Sequence, residues 1–291
     1  MKPIRAGGYD WLAIWRQMYL DERAQGEAMV DPIFAQQEDY WASQAQRFAS
    51  WRQQQSEPDG FMQVLIPRLL PTDTVVDIGA GTGRYLPVLA PLVREVIAVE
   101  PSPSMRAEME RSVAEFGLTN VTIRGDQWPM ESPITADVMF SSHVLYSVAD
   151  VAPFLLAMDQ AALRGCYLYL GLRSPGASLA SVWEYIHGQP RLALPGALEA
   201  LACLHQLGLP AQLELLPITH FFRFASPEEG LNDIRIRLRL TPQPERDVRI
   251  MAAIADLFVP DADGMLMLRE QLTETALISW QPRAQRERHS T

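Results

Sequence analysis

The 291-residue sequence predicts an α/β protein with a doubly wound, mostly parallel sheet. Between Thr74 and about Leu172, five short apolar runs alternate with stretches of helical periodicity. Strands that alternate with helices in this way form parallel βαβ units. The runs are nearly continuous in apolar residues, which is typical of parallel strands that are covered on both faces. These two observations set the fold class.

The elements of this region follow one another in a regular order. The predicted strands are Val75–Gly79, Val96–Glu100, Val121–Asp126, Ala136–Ser142 and Cys166–Leu172. The helical stretches between them are Arg84–Leu92, Pro103–Phe116 and Val151–Leu163. Ser102 is a favourable N-cap and Pro103 suits the first position of a helix. A helix is therefore predicted to begin directly after the second strand.

Residues 1–70 are predicted to form an N-terminal helical cap. Trp11, Trp15 and Met18 repeat at the spacing of one helix face, and a second run with this spacing begins at Trp41. The aromatic content of these faces indicates that they pack against the rest of the protein or cover its site.

Residues 71–291 are predicted to form the main domain. After the fifth strand the alternation of strands and helices breaks down, and residues 174–212 and 227–272 are predicted to be helical additions around the substrate site. Two apolar runs, Leu213–Phe224 and Ala276–Pro282, are predicted to be further strands.

Net charge and cysteine content indicate which kinds of binding partner are unfavourable for this protein. The formal net charge of −10 and the sequence pI of about 5.0 disfavour duplex nucleic acid and anionic membrane surfaces, because both recruit basic faces. Cys166 and Cys203 belong to no Cys/His cluster, so no metal site is predicted. The sequence start lacks a signal-peptide core, and no apolar run reaches the length of a membrane span. The expected compartment is the cytoplasm and the expected partner is a small molecule, with the oligomeric state left open.

The segment VVDIGAGTGRY carries the strongest local signal. Gly79, Gly81 and Gly83 follow a strand and precede a helix, so the backbone can pass close to a ligand there. The spacing is G-x-G-x-G, which differs from the dinucleotide fingerprint. Asp77 would repel a pyrophosphate but would attract a ligand with an ammonium and a sulfonium group. A structural turn or a nucleotide site remains the alternative for this loop.

Two acidic residues follow the next strands. Glu100 ends the second strand, where a carboxylate can accept hydrogen bonds from both hydroxyls of a ribose. Asp126 lies beyond the third strand, where it can accept from an adenine amine, and Trp128 offers a flat face for stacking. Ligands of open parallel sheets bind at the carboxyl ends of the strands, so these residues are expected to share one crevice.

Taken in order, the segments VVDIGAGTGR, IAVEPSPSM, GDQWPM and MFSSHVLYSVAD resemble the class I S-adenosylmethionine-dependent methyltransferase family, small-molecule type. The resemblance covers Val75 to about Leu172. It implies S-adenosyl-L-methionine as cofactor and a seven-stranded sheet that closes with an antiparallel pair, for which Leu213–Phe224 and Ala276–Pro282 are the candidates. The implied cofactor-binding residues lie at the carboxyl ends of the first four strands: Asp77, Gly79, Ala80, Gly81, Gly83, Glu100, Pro101, Met105, Asp126, Gln127, Trp128 and Ser142.

The acceptor side is predicted from residues after the fourth strand. His143 is a candidate general base and Tyr146 is a candidate for the same pocket, with core packing as the alternative for both. Tyr40, Trp41 and Trp183 are candidate lid residues, and helix packing is the alternative for each.

The predicted activity is methyl transfer to a small organic acceptor by direct displacement. The protein then aligns the reactants, excludes water and removes a proton where the acceptor carries one. One alternative is a methyltransferase that acts on RNA or protein, for which the arginines of Ile234–Leu240 are the only local indication. Another is a non-catalytic domain that binds the cofactor.

Overall fold

The structure is a computed structural model that describes residues 8–29, 31, 41, 45, 59–174, 178–218, 222–270 and 272–288. The predicted lid residue Tyr40 lies outside the described residues.

The described strands are numbered in chain order. They are β1 (Thr74–Ile78), β2 (Glu95–Val99), β3 (Val121–Arg124), β4 (Ala136–Ser142), β5 (Ala162–Gly171), β6 (Gln212–Pro217), β7 (Arg223–Phe224), β8 (Phe258–Pro260), β9 (Leu266–Leu268) and β10 (Glu274–Trp280).

The described α-helices flank these strands. They are α1 (Trp11–Met29), α2 (Gly60–Leu65), α3 (Leu86–Leu89), α4 (Pro103–Glu115), α5 (Val151–Ala161), α6 (Ala180–His187), α7 (Ala197–Gln206), α8 (Pro227–Leu238), α9 (Pro244–Leu257) and α10 (Arg283–Arg288).

Seven strands form the central sheet in the order β3-β2-β1-β4-β5-β10-β6. Strands β1 to β5 pair in parallel, and β10 runs antiparallel between β5 and β6. The predicted doubly wound sheet and its closing antiparallel pair are therefore confirmed. The strand order reverses between β1 and β4, which opens a crevice at the carboxyl ends of these two strands.

Two hydrophobic cores cover the two faces of this sheet, because successive side chains of a strand point to opposite faces. Val76 of β1 belongs to a core shared with α1, α5 and α7, in which Trp15 is fully buried. Val75 belongs to a second core shared with α2, α3 and α4, in which Phe61 is fully buried. The described part of the predicted N-terminal cap therefore packs into the main cores.

A third core, here called the accessory layer, joins α6, α8 and α9 to a three-stranded sheet of order β7-β9-β8. Ion pairs lie near this layer. Asp31, two residues after α1, pairs with Arg246 of α9 at 2.7 Å. Glu22 of α1 pairs at 3.1 Å with Arg191, which lies between α6 and α7.

Two predictions about the C-terminal half were wrong. Leu213–Phe224 is not one strand, because β6 ends at Pro217 and β7 belongs to the accessory sheet. Proline has no N–H to continue a ladder, so it favours a strand end. The span 227–272 is not wholly helical, since β8 and β9 follow α9. Asp261 organises the turn between them by accepting from the N–H groups of Asp263 and Met265.

The helix predicted at Val151–Leu163 was too long, since α5 ends at Ala161 and β5 begins at the next residue. The stretch at Arg84–Leu92 contains only the four-residue helix α3 and a 3₁₀ turn at Ala90–Leu92. Pro91 lacks the N–H that a longer α-helix would need.

Candidate active site

The glycine loop after β1 has left-handed backbone at each of its three glycines. Gly79 and Gly83 have φ of +75° and Gly81 has φ of +57°. A Cβ on Gly79 would lie 2.3 Å from Cγ2 of Val144. A Cβ on Gly81 would meet no atom within 4 Å, so this position faces open space. The loop therefore packs tightly at its start and presents bare backbone to the crevice at Gly81.

Glu100 links this loop to the end of β2. One carboxylate oxygen accepts from the Gly81 N–H at 2.8 Å, and the other accepts from the Ser102 N–H at 2.8 Å. The residue is 6% exposed. These two bonds fix the carboxylate at the strand end, and its role in holding a ribose stays a prediction.

Asp77 is the buried acid beneath the loop. It is 2% exposed, and its Oδ2 atom has no hydrogen-bond partner among the described residues. Burial, with a smaller contribution from the charge of Glu100, raises the pKa of this carboxyl well above its ordinary value. An unpartnered oxygen next to an open glycine loop fits a ligand that brings a cationic donor, as the ammonium of S-adenosylmethionine does.

The adenine side is less open than the sequence suggests. Asp126 forms an ion pair with Arg124 at 2.9 Å, and both side chains are about one-third exposed. The Trp128 indole donates to the Phe154 carbonyl at 3.2 Å and meets the Phe154 ring edge-on. Trp128 is thus held against α5, and its stacking on an adenine stays a prediction.

The other implied cofactor residues differ in exposure. Gln127 and Pro101 are exposed, whereas Ala80 and Met105 are buried at 8% and 5% exposure. Met105 is held by the first turn of α4, where its N–H donates to the Ser102 hydroxyl. The cofactor-binding roles of these four residues remain predictions.

His143 follows β4 at the acceptor side of the crevice. It has φ of +58°, a conformation that non-glycine residues rarely adopt, and its N–H donates to the Tyr169 carbonyl at 2.8 Å. Its ring lies 5.0 Å from the Tyr169 ring and 6.1 Å from the Tyr146 ring. Removal of the ring from bulk water, with a smaller contribution from the Arg84 charge, lowers the pKa of His143 to about 4. The imidazole is therefore neutral at pH 7.

Tyr146 is buried beside His143 and hydrogen-bonded to the main chain. Its hydroxyl accepts from the Gly171 N–H at 2.6 Å, which ties the turn after β4 to the end of β5. Burial raises the pKa of the phenol, so it stays protonated at neutral pH. This geometry gives Tyr146 a role in holding His143 and does not require that it react.

Sequence reasoning missed a polar network beside His143. Asp59 accepts from Arg84 at 2.6 Å and from the Tyr85 hydroxyl at 2.9 Å, and it caps α2 through the Met62 N–H. The Tyr85 hydroxyl lies 3.4 Å from the Ser142 hydroxyl. An acid directly before an apolar helix is an N-cap signal that points to Asp59, but nothing in the local sequence pairs it with Arg84.

The lid prediction for Trp183 was wrong. This residue is 2% exposed and packs inside the accessory layer, whose described core includes none of the crevice residues. Its apolar helix neighbours explain the burial, since α6 is amphipathic. Trp41 is 36% exposed, and its role as a lid stays a prediction.

Within the described ranges, no group of three or more His, Cys, Asp or Glu side chains is arranged to hold a metal ion. No helix within them is both long and apolar enough to cross a membrane.

Solved structures share this architecture. The YcgJ protein from Bacillus subtilis aligns with a TM-score of 0.52 at 17% identity, over 76% of this chain and 97% of that one. The BH2331 protein from Bacillus halodurans aligns with a TM-score of 0.55 at 16% identity, over 77% of this chain and 99% of that one. At these identities the likeness shows the fold alone.

Residues 36–192, more than half of the chain, match the methyltransferase domain family. The fold and the strand-end crevice define the class as S-adenosylmethionine-dependent methyltransferases. This chain belongs to that class I family.

The curated relatives match over shorter stretches. A protein-L-isoaspartate O-methyltransferase from Synechococcus is 31% identical over 115 residues, which are 38% of this chain and 44% of that protein. Another from Polaromonas is 32% identical over 89 residues, or 29% of this chain and 35% of that protein. The chain therefore spans less than half of the length of these relatives.

Proposed function

We propose that the enzyme methylates a small organic acceptor at the carboxyl end of β4, with His143 as general base. The observation that supports this role is the position of His143. The residue directly follows β4, is held at positive φ between two tyrosines, and keeps a neutral imidazole at the crevice. A neutral imidazole next to the crevice can accept a proton from a hydroxyl or an amine.

The residues at the crevice have separate tasks in this proposal. Gly79 to Gly83 and Asp77 would hold the methionine part of the cofactor, and Glu100 would hold the ribose. When bound, S-adenosylmethionine supplies a methyl group already activated on a sulfonium. His143 takes the acceptor proton, and Tyr146 keeps the turn that carries His143 in place.

One observation favours a protein acceptor: the two relatives described above are named protein-L-isoaspartate O-methyltransferases. That similarity covers 38% of the chain at most in those two relatives. Helical additions and an accessory layer surround this chain's sheet, and an acidic net charge of −10 offers no general attraction for RNA. The small acceptor is therefore the preferred proposal.

The test is transfer of a deuterium-labelled methyl group from S-adenosylmethionine to a panel of phenols, amines and organic acids, read by mass spectrometry. We expect a labelled product, and we expect His143→Gln to slow its formation by about 10²- to 10⁴-fold. His205→Gln is the control, because His205 bonds to the Ala211 carbonyl away from the crevice. Labelling of isoaspartyl peptides or RNA, with no small product, would overturn the proposal.

A further inference from the structure

A second cavity lies beyond the carboxyl end of β5. It measures about 260 Å³ and is enclosed by α1, α6, the start of α7 and the segment that precedes α7. Its wall is largely apolar and includes Met18, Leu172 and Leu194. Three charged residues also line it: Arg173, Arg191 and Glu199. This cavity is smaller than the roughly 300–1,000 Å³ of sites for drug-sized ligands, so it suits a small molecule or part of one.

Close backbone contacts shape its wall. A Cβ on Gly196 would lie 2.3 Å from the Leu172 carbonyl oxygen. A Cβ on Gly171 would lie 2.4 Å from the Arg173 carbonyl oxygen. The start of α7 can approach the turn after β5 this closely only because Gly196 has no side chain. Gly171 allows the turn that carries Arg173 to fold back toward the end of β5.

Two of the three charges on the wall are already engaged. Arg191 pairs with the buried Glu22 at 3.1 Å and lies over the Trp183 ring at 5.0 Å. The Glu199 carboxylate accepts from the Gly196 N–H at 2.8 Å, which caps α7. Arg173 is exposed and forms no ion pair with any described residue. The cavity therefore carries one cation that no described acid neutralises, in a protein of net charge −10.

The cavity is joined to the proposed catalytic residues by one short chain of contacts. Leu172 and Arg173 directly follow Gly171, whose N–H donates to the Tyr146 hydroxyl. The Tyr146 ring in turn stacks beside His143. The carboxyl ends of neighbouring strands are about 4.8 Å apart, so a molecule of moderate length reaches from one to the other.

We propose that this cavity binds the anionic part of the acceptor, and that the acceptor is a small apolar organic acid held by Arg173. A guanidinium forms a paired bond with a carboxylate, and the apolar wall covers the attached carbon skeleton. The carboxylate serves as the anchor, and the atom that receives the methyl group lies elsewhere on the molecule. This inference rests on the proposed function.

The test uses butanoate, octanoate and phenylacetate, each beside its uncharged primary amide, as probes of the full chain. Binding is followed through the methyl signal of Met18 in ¹³C-methyl-methionine NMR, assigned with Met18→Leu. We expect at least one acid to shift this signal saturably and to bind about tenfold or more tighter than its amide, as for hydrogen bonds to charged groups.

Arg173→Gln should remove this preference for the acid, whereas Arg16→Gln should keep it, because Arg16 is exposed on α1 and does not line the cavity. The absence of a described partner for Arg173 means that its loss leaves no buried acid behind. Equal binding of acids and amides, an unchanged preference in Arg173→Gln, or no shift with any acid would overturn the inference.

Calorimetry with S-adenosylhomocysteine on the same samples separates the two claims. If S-adenosylhomocysteine binds and the acids do not, the proposed binding of a carboxylate by Arg173 is wrong and the proposed function stands. If the cofactor product does not bind to folded protein, the proposed function itself fails.

Discussion

At the scale of single residues, Gly79 and Gly81 share a left-handed backbone but differ in their surroundings. Gly79→Ala adds strain and drives a methyl group to 2.3 Å from Val144, whereas Gly81→Ala adds strain alone. We expect Gly81→Ala to lower the free energy of unfolding by about 1–2 kcal/mol. Gly79→Ala should cost about 1–3 kcal/mol more, as in overpacked cores. Urea unfolding measures both, and equal losses would contradict this packing.

Asp77 gives a pH-dependent prediction with a definite sign. Its pKa in the folded state is raised by burial and by Glu100, so the folded protein holds this proton more tightly than the unfolded chain. Its contribution to stability is therefore greatest below pH 4 and is lost as the pH rises. We expect Asp77→Asn to gain stability relative to the wild type as the pH rises from 4 to 8.

Urea unfolding across this pH range checks the Asp77 prediction, with the exposed Glu131→Gln as control. The control should follow the wild-type curve. A difference between Asp77→Asn and wild type that does not change with pH would show that Asp77 is charged throughout.

Residue roles were only partly predictable from the sequence. The position of Glu100 beside the glycine loop was predictable, because the two follow the neighbouring parallel strands β2 and β1 of one βαβ unit. The network of Asp59 with Arg84 could not, since its partners are 25 residues apart and meet only when α2 packs beside the loop. Trp183 shows the opposite error, because an aromatic residue on a helix gives no sign of which core it enters.

At the scale of elements, Asp59 joins helix α2 to the glycine loop. It caps the helix, pairs with Arg84 and accepts from Tyr85. We expect Asp59→Ala to cost about 2–4 kcal/mol, because a cap of about 1 kcal/mol and a buried ionic partner are lost together. Asp59→Asn retains an oxygen for the cap and should cost less. Thermal unfolding compares the two, and equal costs would mean that the cap oxygen contributes nothing.

Elements with a simple hydrophobic pattern were predicted well and elements set by distant contacts were not. Strand β4 has the predicted bounds, since buried parallel strands are nearly uniformly apolar. The run Leu213–Phe224 is equally apolar, but it is divided between two sheets, and the strands that pair with its two parts, β10 and β9, come later in the chain. The short β8 and β9 depend on that accessory sheet and carry little signal of their own.

At the scale of the whole molecule, the accessory layer has its own core, and Met29 at the end of α1 packs against it. We expect its amides to exchange with deuterium as one group, faster than those of β1 and β4. Hydrogen-exchange mass spectrometry on peptides of α9 and β4 compares the two. Equal protection in both regions would show that the layer unfolds only with the sheet.

The central claim is that the crevice between β1 and β4 binds the cofactor through Glu100 and the glycine loop. Calorimetric titration with S-adenosylhomocysteine tests it most directly, on the wild type, Glu100→Gln and the exposed control Glu131→Gln. We expect saturable binding that Glu100→Gln weakens by about tenfold or more and Glu131→Gln leaves unchanged. Absence of binding to the folded wild type, or equal binding to all three, would contradict it.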